Sequence, residues 1–216
     1  MKSELADIAS KWQRWFPDCP PLSQRMLTAF THRWCTIYGQ PGGERLPEIA
    51  EERRMVLERH AVVSTDVLGL GSRSAVIMAV PRDPAEWTQC PWMARLGATV
   101  IDGWIEEWSD RSVAGKEDAA RVKLAVAFCD WRPDRFEELI LDVATDRNWT
   151  EVVFASLESG RVYSPYDGGA DLFVEDKATA HALWDKYLAM GWTPPELYSG
   201  KPMPGKQLPW HSPWEP

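Results

Sequence analysis

Apolar residues first recur along this chain at helical spacing. Leu5, Ile8, Ala9, Trp12, Trp15 and Phe16 form one stripe behind a candidate N-cap, Ser3, so residues 3–16 predict an amphipathic helix stopped by Pro17 and Pro20-Pro21. Met26, Leu27 and Phe30 predict a second helix over about residues 23–31, and Arg33-Trp34-Cys35-Thr36-Ile37-Tyr38 reads as a strand. A charged helix is expected from Pro47 to about His60, with Ala61 to Leu68 as a short second helix before Gly69-Leu70-Gly71. Residues 74–80 and 123–129 are short, nearly continuous apolar runs, the mark of buried strands. Between them, residues 83–96 read as a looser segment, 99–105 as extended chain and 113–121 as a linker. Asp134 and Glu137 predict a capping box for a helix ending near Thr145. Val152-Val153-Phe154-Ala155 and Val162-Tyr163 form a strand pair around Glu158-Ser159-Gly160. Asp176 caps a last helix over 177–190 that stops at Gly191.

The stretch Tyr163-Ser164-Pro165-Tyr166-Asp167-Gly168-Gly169-Ala170-Asp171-Leu172-Phe173-Val174 sets two apolar runs either side of Asp-Gly-Gly, dipeptides that accept positive φ cheaply. It predicts a tight hairpin. With Gly168-Gly169 as the loop, Asp167 faces Ala170, Tyr166 faces Asp171, and the two carboxylates lie on opposite sides of the sheet. A longer loop would let Asp167 and Asp171 converge with Tyr166 on a cation or on acid-base work. The local alternative is that Asp167 accepts loop N–H groups while Asp171 pairs with an arginine or caps a helix.

Consecutive strands joined by short turns imply an α+β fold: a single domain with a mainly antiparallel sheet and helices packed on one face. The domain is expected over residues 1–199, followed by a Pro/Trp-rich tail at 200–216 that cannot form regular structure.

Composition narrows the chemistry. A net charge of -8 argues against the basic footprint that nucleic acid requires, and an acidic surface suits a basic protein partner instead. No run is long and apolar enough for a membrane span, and the start lacks a signal-peptide core. Cys19, Cys35, Cys90 and Cys129 are widely spaced without a CxxC pair, which disfavours a metal site and points to free thiols in a reducing cytoplasm. His32, His60, His181 and His211 are isolated, and no nucleophile, P-loop or zincin motif is present, so no cofactor is expected.

Three segments, WQRWFPDCP from Trp12, Arg33-Trp34 with Arg59-His60, and YSPYDGGAD from Tyr163, resemble a bacterial family catalogued only as domain of unknown function 3885. The resemblance implies one cytoplasmic bacterial domain and brings no activity with it.

Two functional readings follow. The first is a non-enzymatic binding protein, such as an immunity or inhibitor protein masking a toxin or effector. Its expected contact surface is Trp104, Glu106, Glu107, Trp108 and Asp110, aromatic anchors rimmed by carboxylates. The second is a small hydrolase or ligand-binding enzyme using Tyr166, Asp167 and Asp171, with Arg33, Arg59 or Arg161 beside them.

Overall fold

The computed structural model describes residues 2–41, 46–81, 90–109, 119–145, 147 and 151–193. The tail expected at 200–216, and residues 82–89 and 110–118, lie outside the described residues.

Apolar spacing decides the helices. The first, α1 (Lys2–Trp15), buries Ile8 and Trp12, and Phe16 follows it into the core. The second, α2 (Ser23–Ala29), buries Met26 and gives way to a 3-10 turn at Thr31–Arg33. Strand β1 (Trp34–Tyr38) comes next. The charged helix α3 (Ala50–Leu68) is one continuous element rather than two. Val56, His60, Val63, Ser64 and Val67 form an unbroken buried stripe across the expected break. The Glu52 carboxylate accepts from the N–H groups of Glu48 and Ile49 at 2.7 and 3.1 Å, satisfying donors ahead of the first turn.

The expected loose segment contains a short helix, α4 (Pro91–Leu96), with proline at its first position and Gly97 in the left-handed region after its last. Part of the expected linker belongs to a strand, since β3 (Thr99–Ser109) and β4 (Ala119–Asp130) form a long antiparallel pair. The capping box at Asp134 does not form. Asp134 falls inside a 3-10 turn, Pro133–Phe136, and α5 (Glu137–Ala144) starts only after Phe136. Phe136 is held there by stacking on Trp131, with ring centroids 5.2 Å apart. The remaining elements are β2 (Arg73–Pro81), β5 (Val152–Ser156), β6 (Arg161–Tyr166), β7 (Gly169–Phe173) and α6 (Lys177–Ala189). The last is capped as expected, Thr179 N–H donating to Asp176 Oδ1 at 2.8 Å.

All seven strands pair antiparallel in the order β1-β7-β6-β5-β2-β4-β3. The α+β class and the antiparallel sheet are as the pattern predicts, but the helices cover both faces instead of one. On β2, Val76, Met78 and Val80 face a core completed by α3, α5 and α6; Ala75, Ile77 and Ala79 face a second core under α1 and α2. The physical reason lies in the continuous apolar runs: strands buried on both sides need cover on both sides.

The second layer is locked where α1 meets the β5–β6 turn. Trp15 Nε1 donates to the Leu157 carbonyl at 2.9 Å, and its ring lies so close to Gly160 that a Cβ there would come within 2.2 Å. Gly160 also has φ 69°, in the left-handed region. Gly160→Ala should therefore cost roughly 2–4 kcal/mol in urea unfolding, from overlap plus backbone strain. Gly71→Ala, at φ 75° with nothing within 4 Å of the added carbon, should lose only about 1 kcal/mol. Equal losses at the two sites would mean that the Trp15 contact contributes nothing.

Candidate functional site: the Tyr166 to Asp171 hairpin

The hairpin forms one residue earlier than its sequence suggests. Tyr166 pairs with Gly169 and Ser164 with Asp171, so the loop is Asp167-Gly168 rather than Gly168-Gly169. The third strand decides this. Gly169 also pairs with Tyr38 of β1, and a Cβ on it would come within 1.9 Å of the Ile37 carbonyl oxygen. That position therefore demands glycine for close approach and places it inside β7. Gly39 N–H then closes the corner on the Gly168 carbonyl at 2.9 Å.

In this register Asp171 lies level with Ser164 and Thr36, on the face covered by α1 and α2. It is 8% exposed. Trp34 Nε1 donates to its Oδ1 at 2.8 Å and Ser23 Oγ to its Oδ2 at 3.0 Å. Burial raises the Asp171 pKa, and the hydrogen bonds from Trp34 and Ser23 oppose that rise. Of the two expected partners, an arginine or a helix start, no described arginine bonds Asp171, while the Ser23 hydroxyl in the first position of α2 does, beside the Trp34 indole.

Thr36 Oγ1 donates to the Ala170 carbonyl at 3.0 Å and lies 3.2 Å from the Tyr166 hydroxyl, so the tyrosine is the donor in that contact. Burial, reinforced by the Asp171 charge, holds the Tyr166 phenol protonated well above its ordinary range. Asp167 stays in the turn, half-buried, and does not join Asp171 on the ladder.

A second acid that sequence reasoning missed reaches the same serine. Glu151 Oε1 accepts the backbone N–H of Ser23, so a single serine bonds both carboxyl groups. Burial pushes the Glu151 carboxyl up to about 7; the Asp171 charge adds to the rise and the Ser23 bond opposes it. A signal was present: Glu151 stands immediately before the apolar run 152–155 and so at the mouth of a buried strand. Among the described residues no group of three or more His, Cys, Asp or Glu could hold a metal ion.

The family model described as Domain of unknown function (DUF3885) matches residues 22–190, which include this hairpin and every strand. The chain belongs to that family. No curated protein and no solved structure matches it.

In this DUF3885 chain the other polar candidates are engaged in the fold. Arg33 donates to the Val174 and Trp15 carbonyls at 2.6 and 2.9 Å and lies over the rings of Phe16 and Phe30. Arg59 donates to the Tyr38 carbonyl at 2.9 Å, and Arg161 pairs in bidentate fashion with Glu175 at 2.5 and 2.7 Å. His60, isolated in sequence, sits in the opposite core with Nδ1 2.6 Å from the Tyr163 hydroxyl. Burial, with a smaller push from Arg59, lowers its pKa to about 4, so the ring is neutral where it bonds the tyrosine hydroxyl. Trp104, Glu106, Glu107 and Trp108 belong to β3, at the far end of the sheet from the hairpin. Asp110 lies outside the described residues. The two sets of candidate residues therefore do not meet.

Asp171→Ala should cost about 2–3 kcal/mol in urea unfolding, because it strands the Trp34 and Ser23 donors in the interior. Asp167→Ala, in a half-buried turn, should cost about 1 kcal/mol or less. His60 gives a pH signature: its depressed pKa contributes stability that is present above the ordinary 6.5 and lost as pH falls through about 4. Over that window wild type should lose on the order of 3 kcal/mol more than His60→Gln, and parallel pH profiles would rule out a buried neutral imidazole.

Proposed function

We propose that this chain is a non-enzymatic protein-binding module, most concretely a bacterial immunity or inhibitor protein that masks a basic toxin or another effector. The observation that carries the reading is the internal use of the hairpin's polar groups. Asp171 is spent on Trp34 and Ser23, Tyr166 on Thr36, and Arg33, Arg59 and Arg161 on carbonyls or Glu175. A hydrolase built on Tyr166, Asp167 and Asp171 needs groups that converge on a substrate, and this bonding weighs against it. A cytoplasmic location belongs to the same proposal. It is supported by four buried free cysteines and by the lack, among the described residues, of any helix long and apolar enough to cross a membrane.

The surface we favour for the partner is β3. Strand β2 ends at Pro81, opposite Val122, while β3 and β4 continue from Glu107 opposite Arg121 to Ser109 opposite Ala119. Among the described strands, this pair runs past the sheet as a two-stranded arm. The edges of such an arm can take up a partner strand. Trp104 and Trp108 supply aromatic character to β3, and Glu106 and Glu107 supply charge that would speed encounter with a basic protein.

The test is affinity capture from the native host, followed by association kinetics with the purified partner. Glu106→Lys with Glu107→Lys should slow association about tenfold or more at low salt and much less at high salt. Association that ignores both salt and the charge reversal would put the interface elsewhere. A hydrolytic activity abolished by Asp171→Asn in a stably folded variant would favour an enzyme.

A further inference from the structure

The outer edge of β3 is regular over only part of its length. Val100 pairs with Ala125 of β4 and Ile105 with Lys123, so β3 advances five residues where β4 advances two. A bulge of that kind bends the strand and interrupts its outer row of N–H and C=O groups. From Ile105 to Ser109 the ladder runs unbroken opposite Lys123 to Ala119. Among the described strands none lies on its other side. That short length is the part of β3 on which an added strand can form a continuous ladder.

The charges along the strand decide what it can take. From Thr99 to Ser109, β3 holds Asp102, Glu106 and Glu107 and no lysine or arginine. Were a second copy of this chain to pair antiparallel over Ile105 to Ser109, Glu107 would stand opposite its own counterpart. Like charges placed directly opposite destabilise a strand pair, whereas a lysine or arginine in that place stabilises it. The register with β4 also separates the two glutamates. Glu107 stands opposite Arg121, a charge of the other sign, while Glu106 stands opposite Val122. The charge left unmatched within the arm is therefore that of Glu106.

We propose that β3 from Ile105 to Ser109 takes up an extended basic segment of another protein as an added strand, that Glu106 is the charge selecting it, and that the same acids bar a second copy of this chain. This rests on the reading of β3 as the partner surface. Main-chain hydrogen bonds supply attachment, and the cations of the incoming segment supply selection.

Amide NMR on the full chain, titrated with a synthetic peptide of alternating lysine and valine, tests this without knowledge of the native partner. The peptide should shift the amides of Ile105 to Ser109, and a peptide of alternating glutamate and valine should leave them in place. Glu106→Gln should weaken the lysine peptide about fivefold, and Glu107→Gln about twofold or less. Failure of the lysine peptide to bind, equal binding of the two peptides, or shifts that miss β3 would overturn the proposal. So would a larger loss in Glu107→Gln, or a wild-type dimer that shifts these same amides. Capture of the lysine peptide at β3, beside a native partner whose association ignores the arm, would uphold the basic edge and overturn only the choice of β3 as that partner's surface.

Discussion

Burial of the central strands on both faces is the constraint from which most of this structure follows. Residues 75–80 of β2 are all at most 5% exposed, so neither side of the sheet can be left to water. One layer, α3 with α5 and α6, covers one core; α1 and α2 cover the other. With both faces closed, polar side chains that reach the sheet are cut off from water and bond within the protein at several positions. His60 takes Tyr163, Asp171 takes Trp34 and Ser23, and Arg33 takes two backbone carbonyls. These bonds also tie layers together: Ser23 joins α2 to β7, and Arg33 joins the start of β1 to the end of α1.

The two edges of the sheet are treated differently. Along the outer side of β1, the Trp34 carbonyl accepts from Trp184 Nε1 at 3.0 Å and the Thr36 carbonyl from Thr193 Oγ1 at 2.9 Å. Tyr38 donates its N–H to the Trp192 carbonyl at 2.7 Å and accepts from Arg59 at 2.9 Å. An edge whose backbone groups are taken by side chains and by a crossing segment cannot recruit another strand. At the opposite end, β3 pairs among the described strands with β4 alone. This asymmetry directs the functional reading toward β3 and away from the hairpin, where polar atoms are consumed in holding β1, β7 and α2 together.

At the hairpin, burial also shifts the titration of acids on the α1–α2 side of the sheet. Glu151, immediately before β5, and Asp171 of β7 both bond Ser23 at the start of α2. Each is raised by burial, and Asp171 is stabilised by donors that Glu151 lacks.

The sequence by itself determined the antiparallel α+β class, the buried strands at residues 74–80 and 123–129, the Asp176 cap and the existence of a hairpin near Gly168. Each rests on local chemistry: apolar runs, a side chain able to cap, dipeptides that tolerate a turn. Only the tertiary structure decided the hairpin register, because the close approach of Ile37 to Gly169 comes from a strand more than a hundred residues away. It also decided that α3 runs unbroken, since the stripe through His60 becomes legible only once the core it faces is known. That Glu151 and Asp171 both bond Ser23 was out of reach for the same reason. Period-2 and period-3.6 patterns report which face a residue takes, whereas the identity of a partner across the sheet is set by strand order, and strand order is a property of the assembled fold.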